Sequence, residues 1–151
     1  MKKYLLLIGA VAVLTTGCGN TNNSSCVINA NGSCITKITT APSSNGDYWE
    51  GAKQECGGEQ NLPTPKDLAN IVSYVYENAS INPNEDKKNL TKNKEHFSQF
   101  DIDNFGAFDI WSSKKEDNIS AYVRGFYPKS TTWAMMMTSN DAGVLAVCIK
   151  H

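Results

Sequence analysis

Between residues 47 and 78 the apolar positions recur at helical spacing, and from residue 105 onward they alternate with polar ones, so the chain reads as helices followed by strands. Trp49, Ala52 and Cys56 fall on one helical face. Asp47 stands ahead of them as an N-cap with Glu50 three residues on, and Gly57 and Gly58 supply a stop, which predicts a helix over 48–56. A second helix begins after Thr64, with Pro65 at the first helical position, where its missing N–H costs nothing, and Asp67 near the positive end of the dipole. Leu68, Ile71, Val72 and Val75 form its buried stripe, and it is expected to end near Asn78.

Residues 80–103 are polar and read as an exposed loop anchored by Phe97 and Phe100. Within it, Asn82, Pro83, Asn84, Glu85 and Asp86 offer several oxygen atoms, but not at the spacing of an EF-hand, and a solvated loop is the expectation. Four strands follow, over 108–111, 119–127, 133–137 and 144–149, with turns at Pro128 and at Asn140 and Asp141. They predict an antiparallel meander. In the second strand Tyr122, Arg124 and Phe126 share one face, while Ala121, Val123 and Gly125 share the other. Arg124 is the only arginine of the chain, and between two aromatics it could grip a carboxylate or a ring, so Tyr122, Arg124 and Phe126 are the candidate ligand-binding residues. The plainer reading is an arginine satisfied by a local acid. Met135, Met136 and Met137 span both faces of their strand, which makes at least one of them core filler.

The first segment bears on compartment. Lys2 and Lys3 precede an apolar run from Tyr4 to Leu14 that is too short to span a bilayer, as in an export signal. Leu14, Thr15, Thr16, Gly17 and Cys18 then resemble the lipobox of bacterial lipoproteins, with Thr15 where leucine is usual. That resemblance implies cleavage before Cys18, diacylation of the cysteine, and a place in the bacterial cell envelope, lipid-anchored with the domain extracytoplasmic. Each buried methylene of such a lipid contributes about 0.8 kcal/mol to holding the membrane. The small polar residues after it read as a flexible tether. The organisation is therefore a signal over 1–17, a tether over 18–25, an N-terminal hairpin or extension over 26–44, and a folded domain over 45–151.

Composition narrows the class. A chain of 151 residues, 40% of them apolar, holds one domain. Its 14 basic and 15 acidic residues form no long basic run, which argues against nucleic acid as a partner. Four cysteines remain after Cys18, an even number that suits an oxidising compartment and leaves three connectivities open. The favoured one joins Cys26 to Cys34 and Cys56 to Cys148. Asn31 and Gly32 are a strong two-residue hairpin turn whose register sets Cys34 opposite Asn29, so the first bridge predicts a wider or bulged loop. No paired cysteine or histidine spacing suggests a metal, and the two histidines are His96, in the polar loop, and His151. Neither a Ser-His-acid set nor a glycine-rich phosphate loop is visible, and no cofactor is expected.

Trp49 with Ala52 and Cys56, then Leu62, Pro63 and Thr64 opening a helix, then Trp111, Ser112 and Ser113, and last Val147, Cys148 and Ile149, together resemble the C-type-lectin-like domains of bacterial lipoproteins and surface proteins. Those domains are distantly similar to formylglycine-generating enzymes. The resemblance covers residues 45–150 and implies an α+β fold of two helices packed on a twisted antiparallel sheet, closed by the Cys56–Cys148 pair. The calcium and sugar signatures of animal lectins are missing, since two serines follow Trp111. What it implies for function is a membrane-anchored, non-catalytic ligand-binding or adhesion module, its partner an unknown surface protein or glycan met by the loops over 80–104 and 114–140. The alternatives are a relative of the formylglycine-generating enzymes, which would need a reactive thiol, and a structural envelope lipoprotein.

Overall fold

In the computed structural model the described residues are 25–77, 79–140 and 142–151. Cys18, the export signal and most of the tether lie outside them, as do Asn78, where the sequence places the end of the second helix, and Asp141 in the last turn.

The two helices form where their caps predict. In α1 (Tyr48–Glu55) the Asp47 carboxylate accepts the Glu50 N–H at 2.7 Å. A short 3-10 turn (Glu59–Asn61) leads to α2 (Pro65–Val75), where Thr64 and Asp67 complete a reciprocal capping box. Asp67 also accepts the Ser33 hydroxyl at 2.7 Å, fastening the start of α2 to the first hairpin.

That hairpin is β1 (Ile28–Ala30) and β2 (Ser33–Thr40), turned through Asn31 and Gly32, both at positive φ. The tight turn and the Cys26–Cys34 bond coexist: of the wider or bulged loop expected, the turn is not widened, and a bulge is present in the strand before it. The irregularity falls earlier, where the Val27 N–H bonds to Ile35 O although Ile35 pairs with Ile28, and this step carries Cys26 to a Cα–Cα distance of 5.1 Å from Cys34.

After α2 come β3 (Tyr76–Glu77), β4 (Lys87–Lys88), β5 (Thr91–Lys92) and α3 (Lys94–Ser98). The 80–103 segment is thus less loop-like than its polarity suggests, and Phe97 and Phe100 do anchor it in the core. Then follow β6 (Phe108–Lys115), β7 (Ser120–Tyr127), β8 (Ser130–Met137) and β9 (Leu145–Lys150). The large sheet has the order β1-β2-β9-β6-β7-β8-β4, while β3 and β5 pair separately.

The hairpin expected over 26–44 is there as β1 and β2, and β2 pairs with β9 inside the main sheet. One expectation is corrected. The meander holds for β6, β7 and β8 only, since β9 crosses back to lie between β2 and β6, parallel to β6. The reason is burial. Leu145, Val147 and Ile149 face one apolar cluster while Val144 and Ala146 face the other, and a strand apolar on both sides is stable only at the centre of a covered sheet.

Each face of that sheet has its own helix. Leu68, Ile71, Val72 and Val75 of α2 pack with Ile35, Ile110, Phe126 and Val147, whereas Trp49 and Ala52 of α1 pack with Trp111, Val123 and Ala146 on the opposite side. Two bulges set this division. In β2 the register slips between Ile35 and Lys37, so that Ile35 and Ile38, three apart, both turn toward α2. In β6 it slips between Trp111 and Lys115, and the freed backbone of Ser112 and Ser113 takes the Trp49 indole N–H at 2.8 Å and gives an N–H to Pro63 O at 2.8 Å. The Cys56–Cys148 bond then ties the end of α1 to β9.

Candidate functional site

The hairpin of β7 and β8 turns at Pro128 and Lys129, with Tyr127 opposite Ser130. Tyr76 locks that turn from below. Its hydroxyl accepts the Tyr127 N–H at 3.0 Å, and its single O–H is shared between the Tyr127 and Ser130 carbonyl oxygens, 2.7 Å and 2.8 Å away. Burial raises the phenol above its ordinary pKa, so the ring stays neutral and the hydroxyl remains a donor.

One step along β7, Arg124 is fully buried, and its guanidinium donates to Glu85 O at 2.7 Å and Pro83 O at 2.5 Å. Burial pushes its pKa down to about 10, against the pull of Asp86 and Glu85. The Asp86 carboxylate meanwhile accepts the Trp133 N–H at 2.6 Å. So the 82–86 loop is exposed, as its sequence suggests, but it is latched to the sheet through its backbone. The guanidinium sits among the loop carbonyls as a resident cation. Among the described residues no group of three or more His, Cys, Asp or Glu side chains is arranged to hold a metal ion.

Beyond the reach of α2 and this loop, the same face of the sheet is uncovered. Tyr122 and Trp133, diagonal neighbours across β7 and β8, stack at 5.1 Å between centroids. Lys114 lies over the outer face of Tyr122 at 4.7 Å, and the Arg124 guanidinium lies 5.3 Å from the Trp133 ring centre. The Tyr122 hydroxyl donates to Glu116 at 2.7 Å. Met135, opposite Tyr122, and Met137, opposite Ser120, extend the apolar surface along β8 and are 55% and 47% exposed. Lone exposed apolar residues are ordinary, but a contiguous set on a rigid hairpin marks an interaction surface.

Of the three residues predicted from β7, the structure leaves one at this surface. Tyr122 is half-buried and reachable. Arg124 is beneath the loop, with its guanidinium on loop carbonyls and not on a local carboxylate. Phe126 lies in the core, stacked on Phe108 at 4.7 Å and near Tyr76. Alternation gave all three the same face, but which part of a face is covered depends on where distant segments land. The residues that sequence reasoning missed are Trp133, Met135 and Met137. The methionine run was their only signal, and its middle member, Met136, is the one that packs toward the α1 side.

A second concavity, of about 570 Å³, lies beside the Cys56–Cys148 bond and is lined by Thr36, Gln60, Asn61, Lys150 and His151. It is open and polar, and every buried polar side chain near it is already bonded. All four described cysteines are joined in pairs. Compared with known protein families, curated proteins and solved structures, the chain matches none.

Proposed function

We propose that this chain is a lipid-anchored, extracytoplasmic binding module of C-type-lectin-like architecture, and that it binds through the Tyr122, Trp133, Met135 and Met137 surface. The observation that carries this reading is where that surface lies. The described chain enters the sheet at β1, one edge, and β8 with its short flanking β4 forms the other. Adjacent strands are about 4.8 Å apart, so β1 and β8 are separated by about 24 Å. A domain tethered ahead of Cys26 would therefore hold the exposed apolar surface away from its membrane.

The chemistry favours a protein partner over a glycan. Sugars stack on free ring faces, whereas Tyr122 and Trp133 cover one another and meet cations on their outer sides. What is left to a partner is ring edge, thioether and methyl, which suit apolar side chains. The alternative enzyme reading needs a thiol, and the paired state of all four described cysteines supports binding instead.

Photo-cross-linking tests this in cells. With a photoreactive residue replacing Tyr122, the full chain should give a discrete, protease-sensitive adduct to another protein, while one replacing Lys150 should not. Equal labelling from both positions, or an adduct removed by glycosidase alone, would overturn the reading. Cys18→Ser should release the chain into soluble fractions, and persistent membrane association would defeat the anchor.

A further inference from the structure

The outer side of β8 is open over most of its length. There β4 covers only Thr131 and Ser130, through Lys87 and Lys88, and no other strand of the sheet flanks it. Thr138 donates its N–H inward to Ile119 O, so the even-numbered residues of this strand bond toward β7 and the odd ones turn their backbone groups outward. Two of those outward groups are met: Asp86 accepts the Trp133 N–H, and the Asn140 N–H reaches Met137 O at 3.1 Å. Among the described residues no hydrogen bond found reaches the N–H or C=O of Met135, or the N–H of Met137. Natural proteins guard such an edge with lysine, proline or a bulge. Here residues 132–137 carry neither charge nor proline, and the β7–β8 ladder runs through them without a register shift.

Charge sets no bar to a second copy of this edge. Lys87, Lys88 and Lys129 stand at the Thr131 end beside Glu85 and Asp86. Toward the Met137 end the β6–β7 turn carries Lys114 and Lys115 beside Glu116 and Asp117, whose N–H groups both donate to Ser120 O, and Ser120 pairs with Met137. Both ends mix the two signs around an apolar middle, so the same edge turned antiparallel meets no block of like charge, and its unmet groups at Met135 and Met137 are the complement of their own.

We propose that β8 pairs with β8 of a second copy of this chain about a two-fold axis at Met136, each Met135 exchanging N–H and C=O bonds with Met137 of the other copy. This register supplies partners to the unmet Met135 groups and the Met137 N–H. The Met137 carbonyl, already bonded to Asn140, accepts the second bond with its other lone pair. It also keeps the incoming strand clear of Asp86, which continues β4 to the place beside Thr132. Pairing Met135 with itself would instead drive Thr138 of the other copy into that place. The axis stands perpendicular to the sheet, so the two sheets become one and both Tyr122–Trp133 surfaces look the same way. Both β1 edges lie at the far ends. The pairing holds whatever ligand the exposed face takes.

Sedimentation of the full chain in detergent, from about 1 to about 100 µM, should show a monomer–dimer equilibrium in this range. Met135→Lys, at an exposed site, should keep the thermal transition and raise the dimer dissociation constant about tenfold or more. Phe105→Lys, at an apolar residue 83% exposed outside this edge, should change nothing. On mild oxidation Met136→Cys should join two chains, because Met136 meets its own copy at the axis, whereas the more exposed Ala134→Cys should not. A monomer at every concentration would give the edge to a strand of a different protein and overturn the proposal. So would a dimer indifferent to Met135→Lys, or cross-linking as ready at position 134 as at 136.

Discussion

Tyr76 shows how one hydroxyl can brace the turn of a hairpin. Removing it in Tyr76→Phe takes away one donated and one accepted bond at the turn while the Tyr127–Ser130 ladder pair remains, at a cost of about 0.5–1.5 kcal/mol. Its titration gives a second readout. The folded protein holds the phenolic proton above the ordinary value of 10.0, so this group contributes full stability below that pH. As pH rises past it the unfolded chain ionises first, and stability falls. Denaturant titrations at pH 8 and pH 11 should show the wild type losing more than Tyr76→Phe, and equal losses would contradict the assignment. Arg124 presents a different balance. Breaking a buried ion pair typically costs 3–5 kcal/mol, but the acceptors of this guanidinium belong to an exposed loop and can return to water. Arg124→Leu should therefore cost only about 1–2 kcal/mol while residues 80–90 become quick to cleave in limited proteolysis. An unchanged cleavage pattern would mean the loop is held by something else. Nothing in the sequence around Arg124 announces this role, because its acceptors are backbone atoms some forty residues away and any residue type supplies a carbonyl.

Among the elements, those whose boundaries depend on neighbouring residues were legible. The caps at Asp47 and Thr64 and the period-two runs of β6 to β9 placed both helices and four strands within a few residues. The two-residue strands β3, β4 and β5 were not, since a strand so short has no periodicity to read. Nor were the bulges at Thr36 and at Ser112 and Ser113, which exist because two faces of one sheet must each meet a helix. Gly51 illustrates the same limit. Helix propensity alone says that Gly51→Ala should stabilise α1 by about 1 kcal/mol. In the fold, however, an added Cβ would lie 1.6 Å from Pro42 O, a backbone atom that cannot swing aside. Overpacking of this kind costs about 3 kcal/mol or more, so the net effect should be a loss of about 2 kcal/mol, read as a lowered urea midpoint. A midpoint that rises would show that α1 can lift from the strand beneath it.

For the whole molecule, the central position of β9 matters most, and it was half visible. A run apolar on both faces should lie at the sheet's centre, yet its crossing from β8 to the far side of β6 rests on contacts distant in sequence. The Cys56–Cys148 bond closes a separation of 92 residues across that arrangement. Replacing both cysteines with serine should cost about 4–5 kcal/mol in the chain-entropy picture, and a thermal midpoint that barely moves would show that the loop gains little from closure. The short bridge between Cys26 and Cys34 has a different importance, and it is mechanical. Tension applied ahead of Cys26 would otherwise peel β1 away, one of its three backbone pairs at a time. The covalent link carries the pull past β1 into β2 at Cys34, so the first structure to bear load is the β2–β9 ladder, from Cys34 opposite Lys150 to Thr40 opposite Leu145. If the domain is tethered at this end, as proposed, it would resist shear there, and a reducing medium would weaken its hold under tension before it loosened the fold at rest.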